Sequence, residues 1–171
     1  MSEATRASLS LSLSLATGCL VGLSTLLSSC STTMPVPLNG LNRQLEAAGG
    51  QRNPSLGERW LALIQQRGGR EQVVLVDLQR QAPVPLPGLN RPDALPISVS
   101  VDARGERIAL VRQLDGRSEL VLYRRSLQSL QWLPLDSGAI ATAVALQADG
   151  RQLAVQVSRG GLWQIDLINL P

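Results

Sequence analysis

The chain has 171 residues, no histidine, lysine or phenylalanine, and a formal net charge of +3. Without histidine or lysine, a Ser-His-Asp triad, a Cys-His pair, histidine-based metal ligation and Schiff-base chemistry are all excluded. The positive charge comes from arginines interleaved with acids, as in Glu58-Arg59, Arg70-Glu71 and Glu106-Arg107; a nucleic-acid partner, which calls for clustered basic residues with aromatics between them, is not expected. Such a surface tolerates anionic lipid head groups. The core has to be built from Leu, Val, Ile and Ala, with Trp60, Trp132, Trp163 and Tyr123 as the only large rings.

No charged residue stands between Arg6 and Arg43, and the stretch is apolar up to Leu27-Ser28-Ser29-Cys30 before turning to Ser, Thr, Pro and Asn. A short basic start, an apolar run and small residues ahead of a cut describe a secretory signal peptide. Leu at −3, small residues at −2 and −1 and cysteine at +1 resemble the lipobox of bacterial lipoproteins. That resemblance implies diacylation of the Cys30 sulfur and cleavage that makes Cys30 the new N-terminus. Residues 1–29 are then the signal peptide. An ordinary secretory peptide cut elsewhere and a retained transmembrane helix are the competing readings. Ala16-Thr17-Gly18-Cys19 is a second candidate, but it lacks the leucine and would leave Leu20 to Leu27 as an apolar tail. With cleavage at Cys30, the only other cysteine, Cys19, is lost, and no disulfide forms within the mature chain. Ser31 after the cysteine favours the outer membrane under the common sorting rule; the choice between inner and outer membrane stays open. Residues 30–53, rich in Ser, Thr, Pro, Asn and Gly, read as a tether.

Beyond the tether the chain repeats. Gly57 to Leu78, Gly105 to Arg125 and Asp149 to Leu167 align, with Ala62, Ala109 and Ala154 at one place in each, 47 and 45 positions apart. Each unit reads as two adjacent strands. Ile108-Ala109-Leu110-Val111 and Leu120-Val121-Leu122-Tyr123 are short apolar runs suited to strands buried on both faces. Asp115-Gly116, Gly68-Gly69 and Gly160-Gly161 supply tight hairpin turns; the third hairpin reads as shorter, since Ala154 to Asp166 is 12 positions against 15 from Ala62 to Asp77. Ile97 to Val101 and Ala141 to Ala145 add a strand before the pair. Leu130 to Leu133 and Ala82 to Leu86 add one after it, the latter with prolines that only an outermost strand tolerates. Four antiparallel strands in about 46 residues make one blade of a β-propeller. The expected fold is all-β, a partial propeller of about three four-stranded antiparallel blades over residues 54–90, 95–136 and 139–171. The repeated alanine lets neighbouring blades approach; a larger side chain there would overpack by about 1–3 kcal/mol.

These residues resemble the repeat of the TolB family of β-propellers, roughly Pro-x-Trp-Ser-Pro-Asp-Gly-x-x-Ile-Ala-Phe, then Arg-Asp-Gly, then an apolar strand ending in Asp. The second unit matches best, through Pro96, Ser100, Val101, Asp102, Gly105, Ile108, Ala109, Asp115, Gly116 and Leu120 to Tyr123. The third matches at Asp149-Gly150, Leu153-Ala154 and Ile165-Asp166-Leu167, and the first at Pro54, Gly57, Leu61-Ala62, Gly69 and Val76-Asp77-Leu78. The resemblance spans residues 54–171. It implies a non-enzymatic protein-interaction module of the cell envelope, facing the periplasm, with an envelope protein as partner. The chain departs from the family in its own lipobox, in having no counterpart of the separate N-terminal domain, and in about three blades where closed propellers have at least four. Open sheet edges invite pairing: a homo-oligomer of two copies that completes a six-bladed ring, docking on a partner, and an open curved monomer are the alternatives.

No catalytic residue, cofactor or metal ligand is assigned; Cys30, as a lipid-attachment site linking the chain to a membrane, is the only site. Asp102 and Asp149 at related turns, and Asp77 and Asp166 at strand ends, read as residues accepting backbone N–H bonds. Calcium ligation or acid–base work is the competing reading. The three tryptophans read as core or blade-interface residues rather than as a binding surface. A propeller-type hydrolase or carbohydrate-binding protein of the envelope is the alternative function, and it would need carboxylates and aromatics converging at one end of the axis.

Overall fold

The computed structural model describes residues 34–171, and Pro37–Pro171 form one compact unit. Cys30, Cys19 and the signal-peptide segment lie outside the described residues.

Three antiparallel sheets follow one another along the chain. Blade 1 is β1 (Gln51–Leu56), β2 (Trp60–Arg67), β3 (Arg70–Asp77) and β4 (Ala82–Val84), paired in that order. Blade 2 is β5 (Ala94–Val101), β6 (Arg107–Leu114), β7 (Arg117–Arg124) and β8 (Ser129–Leu133), again in order. Blade 3 has only three strands among the described residues, β9 (Ile140–Leu146), β10 (Gln152–Arg159) and β11 (Leu162–Asn169). This is a partial β-propeller, and its all-β class matches the sequence reading.

The central hairpins are identical in length. Arg67 pairs with Arg70, Leu114 with Arg117 and Arg159 with Leu162, each across a two-residue turn. The turns are those expected: Asp115 and Gly116 have φ of 49° and 74°, Gly68 and Gly69 58° and 77°, Gly160 and Gly161 56° and 83°. Positive φ at both central residues is the geometry whose twist matches a two-residue hairpin. The third hairpin is therefore not shorter. Asp77 lies opposite Trp60 while Asp166 lies opposite Val155, so the two acids occupy different register positions.

Blades 1 and 2 each bury one face against the next. Trp60, Ala62, Ile64, Val73 and Leu75 of blade 1 pack on Val99, Val101, Ile108, Leu110, Val121 and Tyr123 of blade 2. Ala109, Val111, Leu120, Leu122 and Leu133, on the opposite face of blade 2, pack on Ala141, Leu153, Val155 and Val157 of blade 3. Ala62 and Ala109 are fully buried in these seams, the places where a small side chain lets two sheets close up.

Side chains of one inner strand also accept hydrogen bonds from main-chain N–H groups of the next. The Val99 N–H donates to Asn53 Oδ1 (2.6 Å) and Val101 N–H to Ser55 Oγ (3.1 Å). One blade on, Val144 N–H donates to Ser98 Oγ (3.2 Å) and Leu146 N–H to Ser100 Oγ (2.8 Å). All four bonds span 46 residues, so the repeat length sets a physical offset between blades.

The expected tether over residues 30–53 differs from what is found. Within it, α1 (Asn39–Ala47) forms a helix, and β1 begins at Gln51. Leu41 and Leu45, one turn apart, lie with Leu61, Leu63, Val74, Val76 and Leu78 on the outer face of blade 1. Gln51 Nε2 donates to Leu45 O (2.6 Å) and Gln65 Nε2 to Ala48 O (3.1 Å). An apolar sheet face forms this helix where composition alone reads as linker. Among the described residues, no helix is long and apolar enough to cross a membrane.

The inter-blade bonds are testable. Ser100→Ala removes the acceptor for Leu146 N–H, and denaturant unfolding should show a loss of about 1–3 kcal/mol. An unchanged midpoint would show that the bond contributes nothing to the stacking.

Candidate functional site

Two features stand out on this scaffold. The first lies at one end of the seam between blades 1 and 2. Trp60 opens β2 with its ring buried against Gly105, whose φ is +66° and whose added Cβ would sit 2.5 Å from ring atoms. The Arg59 and Arg125 guanidiniums lie 4.9 and 4.5 Å from the ring centroid, an arrangement stabilised by the ring quadrupole. Arg80 and Arg104 join them around an open cavity of about 420 Å³ that Asp77 and Val84 also line.

Among the described residues, Asp77 is the only acid lining that cavity. It ion-pairs with Arg59, and Arg80 Nε stands 3.9 Å away. Its Oδ1 accepts N–H bonds from Gln79 (3.0 Å) and Arg80 (3.2 Å). Burial disfavours the charged carboxylate, but the Arg59 bond and the Arg80 and Gln79 N–H groups outweigh it, and the pKa lies below the ordinary Asp value. Arg59 Nε and Arg125 Nε are buried and have no partner among the described residues. Four guanidiniums around one neutralised carboxylate suit an anionic group such as a carboxylate or phosphate. No sequence signal pointed to this cluster, because its arginines come from four separate loops and strand ends.

The second feature is the outward face of blade 3. Ala154, Gln156 and Ser158 of β10 lie opposite Leu167, Ile165 and Trp163 of β11, and beside Ala145, Ala143 and Ile140 of β9. None of these nine residues is charged. Leu167 holds the register position of Leu75 and Leu122; those two are 0% exposed beneath a neighbouring blade, while Leu167 is 77% exposed. Ile165 and Trp163 on the same face are 63% and 64% exposed. The expectation that the tryptophans pack inside holds for Trp60 only. Trp132, on the outermost strand of blade 2, is 61% exposed, and Trp163 is exposed because no described residue lies over the outward face of its sheet.

The other aspartates do structural work. Asp102, buried, accepts N–H bonds from Glu106 (2.8 Å) and Arg107 (3.2 Å) through Oδ1. Asp149 Oδ1 accepts from Arg151 N–H (2.9 Å), and Asp166 pairs with Arg159 at 2.5 Å. They are not brought together, and among the described residues no three acidic or cysteine side chains are grouped to hold a metal.

Two measurements probe the first feature. Asp77 has a lower pKa folded than unfolded, so it stabilises the fold fully above the unfolded value and loses that contribution as pH falls through the folded one. Asp77→Asn should therefore lower stability at neutral pH and flatten its decline below the usual carboxylate range, read as Tm against pH. Gly105→Ala meets both the positive φ and the Trp60 ring, whereas Gly116→Ala, at φ +74° with nothing within 4 Å, meets only the first. The first substitution should cost about 1–3 kcal/mol more than the second; equal losses would show that the ring shifts freely.

No family model matches the chain, and no curated protein matches it in sequence. Solved structures do match in fold. TolB from Acinetobacter baumannii superposes with a TM-score of 0.54 at 15% identity, over 68% of this chain and 29% of its own. A structure assigned as TolB from Agrobacterium tumefaciens superposes at 0.58 with 9% identity, over 71% of this chain and 46% of its own. A structure assigned as a conserved lipoprotein from Clostridium novyi NT superposes at 0.50 with 11% identity, over 72% of this chain and 88% of its own. The chain thus spans less than half the length of the two TolB structures it resembles. At these identities the likeness is one of fold: blades of a TolB-like β-propeller.

Proposed function

We propose that this chain is a lipid-anchored protein of the bacterial cell envelope, facing the periplasm, that acts as a non-enzymatic protein-interaction module. The observation that carries the reading is the third blade, which presents to solvent the apolar face that its two sister blades bury. Uncharged sheet faces of this kind mark interaction sites. The anchor is Cys30, in the lipobox-like Leu27-Ser28-Ser29-Cys30. The TolB-like fold and the likeness to a conserved lipoprotein support an envelope setting. Asp77 and Asp102 accept main-chain N–H bonds, which engages both carboxylates in holding turns rather than leaving them free for acid–base work.

The test is an intact mass of the membrane fraction from cells expressing the full chain or its Cys30→Ala variant. A mass starting at Cys30 plus a diacylglycerol, present only with the cysteine, is the expected result. A soluble or full-length unlipidated protein in both cases would overturn the anchor.

A further inference from the structure

The free edge of blade 3 differs from those of its sisters. β4 has three residues and contains Pro83; β8 has five and is followed by Pro134. Short, proline-marked strands are how sheet edges avoid pairing with other chains. β11 has eight residues and no proline, and no described residue pairs with its outer side. The two-residue turn makes Arg159 and Leu162 a hydrogen-bonded pair. Alternation along the ladder then turns the main-chain N–H and C=O groups of Trp163, Ile165 and Leu167 away from β10, into the free edge. The side chains of the same three residues form the exposed apolar row.

A further blade stacked in the same way is a poor occupant. Asn53 and Ser55, then Ser98 and Ser100, accept the N–H bonds of the following inner strand. The next positions in that series are Ala143 and Ala145, which accept nothing. Closure of a ring by a second copy needs the outer face of blade 1, and α1 covers it.

The strand is instead its own complement. Around Ile165 the order is Leu162, Trp163, Gln164, Ile165, Asp166, Leu167, Ile168, apolar and polar residues placed alike on both sides of the centre. We propose that β11 pairs antiparallel with β11 of a second copy, about a two-fold axis at Ile165, merging two third blades into one continuous sheet. This rests on the reading of blade 3 as the interaction face and names its partner. Trp163 then lies across from Leu167 of the partner subunit, an aromatic–aliphatic pair of the kind that stabilises sheets. Asp166 lies across from Gln164 of the partner subunit, so no like charges oppose each other. An axis at Asp166 would set two carboxylates face to face, and one at Gln164 would shorten the overlap.

The test uses the full chain, in both its wild-type and Cys30→Ala forms, so that loss of the anchor does not affect the readout. A hydrogen-bonded antiparallel pair brings opposed Cα atoms to about 5.5 Å, within disulfide reach. Ile165→Cys should give a disulfide-linked dimer under mild oxidation; Trp132→Cys, equally exposed elsewhere, should not. Sedimentation at micromolar concentration should show two copies, reduced to one by Ile165→Lys with its far-UV spectrum unchanged. A single-copy mass with no excess crosslinking at position 165, as when a different envelope protein fills this edge, overturns the proposal. So does a dimer that survives Ile165→Lys.

Discussion

A sheet that is apolar on both faces is not stable until something lies over each of them, and this constraint organises the whole molecule. Blade 2 meets it through its two neighbours. Blade 1 meets it through blade 2 on one side and a nine-residue helix on the other. Burial of a Leu, Val or Ile side chain contributes about 1.5–3 kcal/mol, and each seam holds many such residues. One hydrogen bond between inner strands adds about 1 kcal/mol. The apolar seams therefore supply the stability, while the Asn53, Ser55, Ser98 and Ser100 bonds set the offset at which neighbouring blades meet.

The same constraint explains why chemistry is sparse. The buried acids sit at strand ends and turns, where they cap main-chain N–H groups. The arginines do two jobs. Arg112 and Arg159 hold carboxylates across a hairpin, while Arg59 and Arg125 close over Trp60 at the end of a seam. That second group leaves positive charge around an open cavity, and an anionic group is the chemistry it suits.

Blade 3 is where the constraint is unmet among the described residues. Its residues facing blade 2 are buried as in a closed propeller, and its other face keeps the apolar pattern without the polar acceptors that link one blade to the next. A face that keeps its hydrophobic register and loses its stacking bonds suits association with another surface rather than continuation of the same stack.

Much of the fold was legible in the residues. The spacing of Ala62, Ala109 and Ala154, the glycine-bearing turns and the apolar four-residue runs specify repeated hairpins, because turn φ angles and strand period are local properties. The hydrogen bonds across the blade seams were not legible. Ser98 and Ser100 read only as alternation within a strand, and their bonds exist because another strand lies 46 positions on. Asp77 and Asp166 looked equivalent until pairing set their register. The helix over Asn39–Ala47 forms where a sheet face covers Leu41 and Leu45. Trp60, Trp132 and Trp163 are one residue type with two fates, the first buried and the other two exposed. Local residue pattern specifies most of the strands, their turns and the repeat; burial is set by the packed fold, because it depends on what lies across the sheet and not on the residue's own neighbours in the chain.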